Sequence, residues 1–194
     1  MNQEITDSRQ PGTVSAVAGV TQYLTFLCSG ERLAVEILDV KELLEMTNMT
    51  RVPMTPDFIR GVINLRGSVV PVVDLSARLA RSPCSLTKRS SIVLVEVTQG
   101  EITQTLGMLV DEVSEILEID ANHIQPPPSF GANIRTDFIR AMGNVNGEFI
   151  ILLAIDKVLS VEELSSLKEI ASQTGRSPEY RQEQHPAMTL QEQC

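Results

Sequence analysis

The chain repeats itself. Residues 33 to 46, LAVEILDVKELLEM, align with residues 106 to 119, LGMLVDEVSEILEI, at an offset of 73. Residues 57 to 75, DFIRGVINLRGSVVPVVDL, align with residues 137 to 155, DFIRAMGNVNGEFIILLAI, at an offset of 80. The second copy therefore carries seven more residues (80 − 73), which fit in the proline-rich stretch QPPPSFGANIRT. An ordered repeat of this kind means one supersecondary unit used twice. A unit of four or five short strands buries too little surface to stand alone, so the two copies are expected to pack on each other as small curled sheets or barrels.

Within each copy the residues argue for β structure. QYLTFLC (22 to 28) and RLAVEIL (32 to 38) read as a hairpin around Ser29-Gly30. IRGVINL and SVVPVVDL form a second hairpin across Arg66-Gly67, repeated about Asn146-Gly147. SIVLVEV (91 to 97) and LGMLV (106 to 110) are further strands. DVKELLEM (39 to 46) changes period: Val40, Leu43 and Leu44 fall on one helical face, which predicts a short helix. Its counterpart DEVSEILEI (111 to 119) reads as a short helix or a bent strand. Residues 160 to 171, SVEELSSLKEIA, predict a helix capped by Ser160 and Glu163, with Val161, Leu164, Leu167 and Ile170 on one side. Pro71 lacks a backbone donor, so its strand is expected to be an edge or to contain a local irregularity. Ile151 in the second copy has no such limit, so the two units are expected to expose unlike edges.

The resulting division is a flexible start (1–19), a first unit (20–85), a second unit (86–159), a closing helix (160–171) and a flexible tail (172–194). Exchange of terminal strands between the units stays open. Aromatic residues make up 4% and tryptophan is absent, so the core must be aliphatic.

Composition and motifs exclude more functions than they suggest. A net charge of −9 opposes nucleic-acid binding. That charge is uneven: residues 51–89 hold seven Lys/Arg against two Asp/Glu, and residues 90–134 hold seven Asp/Glu and no Lys/Arg, a pattern suited to oriented docking between proteins. Cys28, Cys84 and Cys194 have no paired spacing, which predicts a reducing, cytoplasmic setting. No apolar run reaches the roughly 18 to 20 residues of a membrane span, so no direct membrane insertion is expected. His123 and His185 are the only histidines, leaving a metal site or serine triad poorly supplied. Glycine fingerprints for phosphate or dinucleotide cofactors are missing, and no cofactor is expected. A small hydrolase using Asp74 and Cys84, the latter in an exposed link, is the catalytic alternative; a strand-ending aspartate such as Asp74 is more often a turn former.

Arg66 stands out because its repeat position holds Asn146. It reads as a solvated hairpin arginine or as a planar donor set that pairs with a carboxylate and orients a binding surface, with Glu42 as a candidate mate.

GVINLRGSVVPVVDL, preceded by TPDFIRG and followed by VDEVSEIL, resembles the CheW family of bacterial chemotaxis coupling proteins over about residues 20 to 171. The resemblance implies an all-β fold of two pseudo-symmetric SH3-like five-stranded β-barrel subdomains with short helices and a C-terminal helix. It implies a non-catalytic adaptor that couples the cytoplasmic tip of chemoreceptors to the regulatory domain of a CheA-type histidine kinase, recruited to membrane-associated arrays. Carried over by position, the receptor-binding residues are Val40, Glu42, Gly61, Arg66, Gly107, Val110 and Val113. Gly61 and Gly107 would permit close backbone approach or an internal turn; the three valines would be exposed contacts or core. Kinase-contact residues are not assigned. Similar modules in twitching-motility or surface-sensing pathways, and a component that bridges neighbours in an array without activating kinase, remain alternatives.

Overall fold

The computed structural model describes residues 19–79, 82–128 and 136–174. The segments expected to be flexible lie largely outside these residues, as do Cys194, His185 and part of the proline-rich loop.

Among the described residues, eleven strands form two mixed sheets. In chain order they are β1 (Val20–Cys28), β2 (Glu31–Glu36), β3 (Val40–Glu45), β4 (Ile59–Leu65), β5 (Ser68–Asp74), β6 (Ser91–Gln99), β7 (Ile102–Val110), β8 (Glu112–Asp120), β9 (Ile124–Gln125), β10 (Ile139–Val145) and β11 (Glu148–Leu153). A four-residue helix α1 (Leu75–Arg78) follows β5, and α2 (Val161–Thr174) follows β11. One sheet has the order β3-β6-β7-β5-β4, and the other β8-β1-β2-β11-β10-β9. The second has six strands, where five were expected, because the two-residue β9 adds to β10.

The repeat explains the order. Placed by their offsets, β3, β4 and β5 correspond to β8, β10 and β11, and the hairpin β1-β2 corresponds to β6-β7. Each sheet thus takes its leading hairpin from the other copy and joins it through a parallel ladder, β5 with β7 and β11 with β2. Both copies make the same two-residue turn: Arg66 and Gly67 have φ 51° and 87°, and Asn146 and Gly147 have 54° and 86°. Positive φ at both central residues matches the twist of tight hairpins. Both copies also bulge at the DFIR arginine, with a register shift between Ile59 and Gly61 and between Ile139 and Ala141.

Residues 39–46 are not a helix. After a single 3-10 turn, Ile37–Asp39, the chain enters β3 and pairs with β6. The helical spacing of Val40 and Leu43 has another cause: a bulge at Lys41 puts both on the same sheet face, opposite Val95 and Val93. An extra residue in a strand turns a period of two into an i, i+3 relation. β8 repeats the device, with Val113 opposite Phe26 and Ile116 opposite Leu24, so DEVSEILEI is the bent strand of its two readings. Pro71 is not on an edge, since β5 lies between β4 and β7, but the irregularity expected as the other possibility is present as the register shift between Ile59 and Gly61 in the β4-β5 ladder; the parallel ladder begins one residue after Pro71, at Val72.

Alternation along the strands divides the apolar residues among three cores. The largest lies between the sheets and joins Leu24, Phe26 and Val35 to Val93, Val95 and Met108. Two smaller cores lie on the opposite faces of the sheets, one with Val72, Ile92 and Leu94, the other with Ala34, Ile150 and Leu152. Each fully buried aliphatic side chain contributes roughly 1.5–3 kcal/mol. Helix α2 closes the largest core with Leu164 and Leu167, and its first turn has the expected reciprocal cap: Ser160 N donates to Glu163 Oε2 at 2.7 Å and Glu163 N to Ser160 Oγ at 3.2 Å.

Candidate functional site

The turn between β4 and β5 places Arg66 in left-handed backbone, where a non-glycine residue costs roughly 1–2 kcal/mol. Asn64 Oδ1 supports the turn by accepting from Gly67 N at 2.8 Å. At the tip the Arg66 side chain is 75% exposed, and its Nη2 donates to Glu42 Oε1 at 2.9 Å. An exposed pair contributes at most about 1 kcal/mol, so this one orients a guanidinium more than it stabilises the fold. The mate anticipated from sequence is the one found, although Glu42 lies on a strand. β3 and β4 are opposite edges of their sheet, so the contact also reports how strongly that sheet curls. The chain between them makes the same link: Thr50 and Val62 exchange two backbone hydrogen bonds, at 2.9 and 2.8 Å.

Three of the seven positions fall in one line. Gly61 pairs with Val72, Val72 with Gly107, Gly107 with Leu94, and Leu94 with Glu42, a single cross-strand row running β4-β5-β7-β6-β3. Gly61 has φ 149°, and a Cβ there would stand 2.4 Å from Thr50 O. A Cβ on Gly107 would stand 2.8 Å from Ile92 Cγ2. Both glycines let neighbouring groups approach, and the row carries Glu42 at one end beside Arg66. The three valines are elsewhere, against the core between the sheets. Val40 and Val113 are half-buried on β3 and β8, and Val110 is 1% exposed, so it is core and not an exposed contact.

A cavity of about 850 Å³ opens at the Arg66 turn, lined among others by Lys41, Glu42, Arg66, Leu94, Thr103 and Lys168. Sequence reasoning did not single out Lys168; its only signal was its place on the polar side of the closing helix.

Asp74 and Cys84 do come together, in a structural role. Asp74 is fully buried; Oδ1 accepts from Ala77 N at 3.1 Å, capping α1, and Oδ2 accepts from Cys84 N at 3.0 Å and faces Arg60 Nη1 at 3.6 Å. Cys84 is 4% exposed, not in an exposed link, and its Sγ donates to Asp111 Oδ1 at 2.9 Å. Burial first, then the Asp111 hydrogen bond and charge, push the thiol up to about 12. A thiol so held stays protonated at neutral pH and is no nucleophile. Among the described residues there is no cluster of three or more His, Cys, Asp or Glu able to hold a metal ion, and no helix long and apolar enough to cross a membrane.

A family model for the CheW-like domain matches residues 22–163, which includes both sheets except the first two residues of β1. The chain belongs to the CheW-like family. It is 34% identical to the chemotaxis protein CheW of Klebsiella aerogenes over 82% of this chain and 95% of that one. It is also 34% identical to CheW of Rhizobium meliloti, over 75% and 91% of the two chains. Among solved structures it resembles the scaffolding protein TtCheW of Thermoanaerobacter tengcongensis, with a TM-score of 0.66 at 33% identity over 74% of this chain and 94% of that one. The CheW-like chain is a non-catalytic adaptor that couples receptors to CheA kinase.

Proposed function

We propose that the sheet containing β3 to β7 presents the receptor-docking face of this adaptor, around Arg66 and Glu42. The contact is with the cytoplasmic tip of a chemoreceptor, and the kinase regulatory domain binds a separate surface. Both sheets act as SH3-like barrels, and receptor binding recruits the adaptor to membrane-associated arrays from the cytoplasm. Arg66, oriented by Glu42, is the contact residue. Gly61 and Gly107 hold the row that carries Glu42 in place. Val40, Val110 and Val113 act through the core between the sheets, Val40 and Val113 with part of their surface still open to the partner. The observation that carries this reading is the cross-strand row from Gly61 through Gly107 to Glu42, ending beside the exposed guanidinium.

Coupling needs no chemical step. A receptor conformation that favours one docking geometry biases the kinase by a difference in binding free energy. Titration of the purified chain with a soluble receptor signalling fragment and, separately, with a kinase regulatory domain tests the reading. Saturable binding of both is expected; absence of either would sink it.

A further inference from the structure

We infer that helix α2 forms a wall of the receptor-docking cavity, and that Lys168 is a specificity residue reading an acidic side chain on the docked receptor segment. The inference rests on the docking face proposed above and adds a determinant from outside its sheet.

Position comes first. The cavity at the Arg66 turn is bounded on one side by β3 and the β4-β5 turn, and on another by Lys168, Ala171 and Ser172 of α2. These three residues are spaced i, i+3, i+4 and share one helix face. Ala171 and Ser172 are small, and Ser172 Oγ turns back to donate to Lys168 O at 2.8 Å, which leaves the lysine as the one long side chain that α2 brings to the cavity. The helix is also well fixed. Leu164 and Leu167 are buried in the largest core, the reciprocal cap holds the first turn, and Arg78 Nη2 meets Glu163 Oε2 at 3.1 Å. Lys168 follows Leu167 directly, so its backbone is anchored although its side chain is exposed.

Charge identifies the occupant. In a chain of net charge −9, this cavity brings together Lys41, Arg66 and Lys168 against the single acid Glu42. Arg66 is paired with Glu42, and Lys41 with Glu96. Lys168 has no ion-pair partner among the described residues. The corresponding turn of the other sheet, at Asn146, borders a cavity of about 590 Å³ lined by Glu118 and Asp120 with no Lys or Arg. Equivalent turns thus carry opposite charge, and an acidic partner is directed to the Arg66 side. Complementary charge of this kind selects partner and orientation more than it adds affinity.

The test is titration of the full chain with a soluble receptor signalling fragment, using Lys168→Gln, Lys168→Glu and Lys168→Arg, with thermal unfolding and kinase-domain binding as parallel readouts. Affinity for the receptor fragment should fall about threefold for K168Q and about tenfold for K168E, and return close to wild type for K168R. The wild-type interaction should weaken more steeply with added salt than that of K168Q. Melting temperature and kinase-domain binding should not change. Receptor binding by K168E equal to wild type would overturn the inference while leaving the docking face standing, and an equal loss of kinase binding would overturn it by showing a general effect. If the wild-type chain itself fails to bind the receptor fragment, the docking face falls and this inference falls with it.

Discussion

The two sheets contain the same row of paired residues with different side chains. In the sheet of β3 to β7 the row reads Gly61, Val72, Gly107, Leu94 and Glu42. In the other sheet it reads Ala141, Leu152, Ala34 and Thr25. The row then meets Glu115, the repeat counterpart of Glu42, whose carbonyl accepts from Thr25 Oγ1 at 2.8 Å and whose N donates to it at 3.2 Å. Both glycines of the first row are alanines in the second. The two glutamates also choose different arginines: Glu42 pairs with Arg66 on the turn, whereas Glu115 pairs at 2.6 Å with Arg32 on β2. Turn geometry and bulges are common to both copies, so they report the fold. What differs is where a guanidinium is held, and only the first sheet holds it at an exposed tip above a cationic cavity.

The largest effect expected from this difference is on stability. Gly61→Ala should cost about 3 kcal/mol, because the new Cβ meets a backbone oxygen at 2.4 Å in a conformation that side chains rarely adopt. Ala141→Gly at the matching bulge should cost about 1 kcal/mol, the loss of a small buried methyl and some chain entropy. Urea unfolding of the two variants measures both. Equal losses would mean that the bulges are interchangeable and that Gly61 has no special part.

A further contrast concerns alkali. Cys84 sits beneath the first sheet between Asp111 and Asp74, facing Arg60, with its thiol raised from an ordinary value of 9.0 to about 12. A group whose folded pKa is raised contributes stability that is complete below its unfolded pKa and is lost as pH climbs toward the folded one. Stability should therefore decline from about pH 9 toward 12 more steeply in wild type than in Cys84→Ala. Denaturation midpoints across that range decide the matter, and parallel curves would contradict the buried thiol.

Much of this was legible in sequence because the duplication marks its own boundaries. The offsets of 73 and 80, the Ser160–Glu163 cap and the Arg66–Glu42 pairing could all be read from residue types and spacing. β3 could not, because the bulge at Lys41 gives a strand the apolar spacing of a helix. Nor could sequence say which copy's hairpin joins which sheet: β1-β2 and β6-β7 carry equivalent strand patterns, and only the packed molecule shows each crossing to the other unit. Of the two readings of Pro71 the edge failed and the irregularity held: the β4-β5 ladder shifts register between Ile59 and Gly61, and a missing donor is harmless on an interior strand whose parallel ladder starts one residue later. Cys84 read as exposed among polar neighbours, while the acid that covers it lies 27 residues away at Asp111. The cationic cavity draws on β3, the β4-β5 turn and α2, so no local window of sequence contains it.

The central claim is that receptor recognition lies in the unduplicated arginine and not in the shared turn. Its most direct test is an exchange at the two turns, measured by binding to a receptor signalling fragment. Arg66→Asn, which gives the first turn the residue of the second, should weaken binding about tenfold while leaving stability equal or higher by about 0.5 kcal/mol, since asparagine accepts left-handed backbone more readily. Asn146→Arg should leave binding at the wild-type level. Full binding by the Arg66→Asn variant, or a comparable change from Asn146→Arg, would contradict the account.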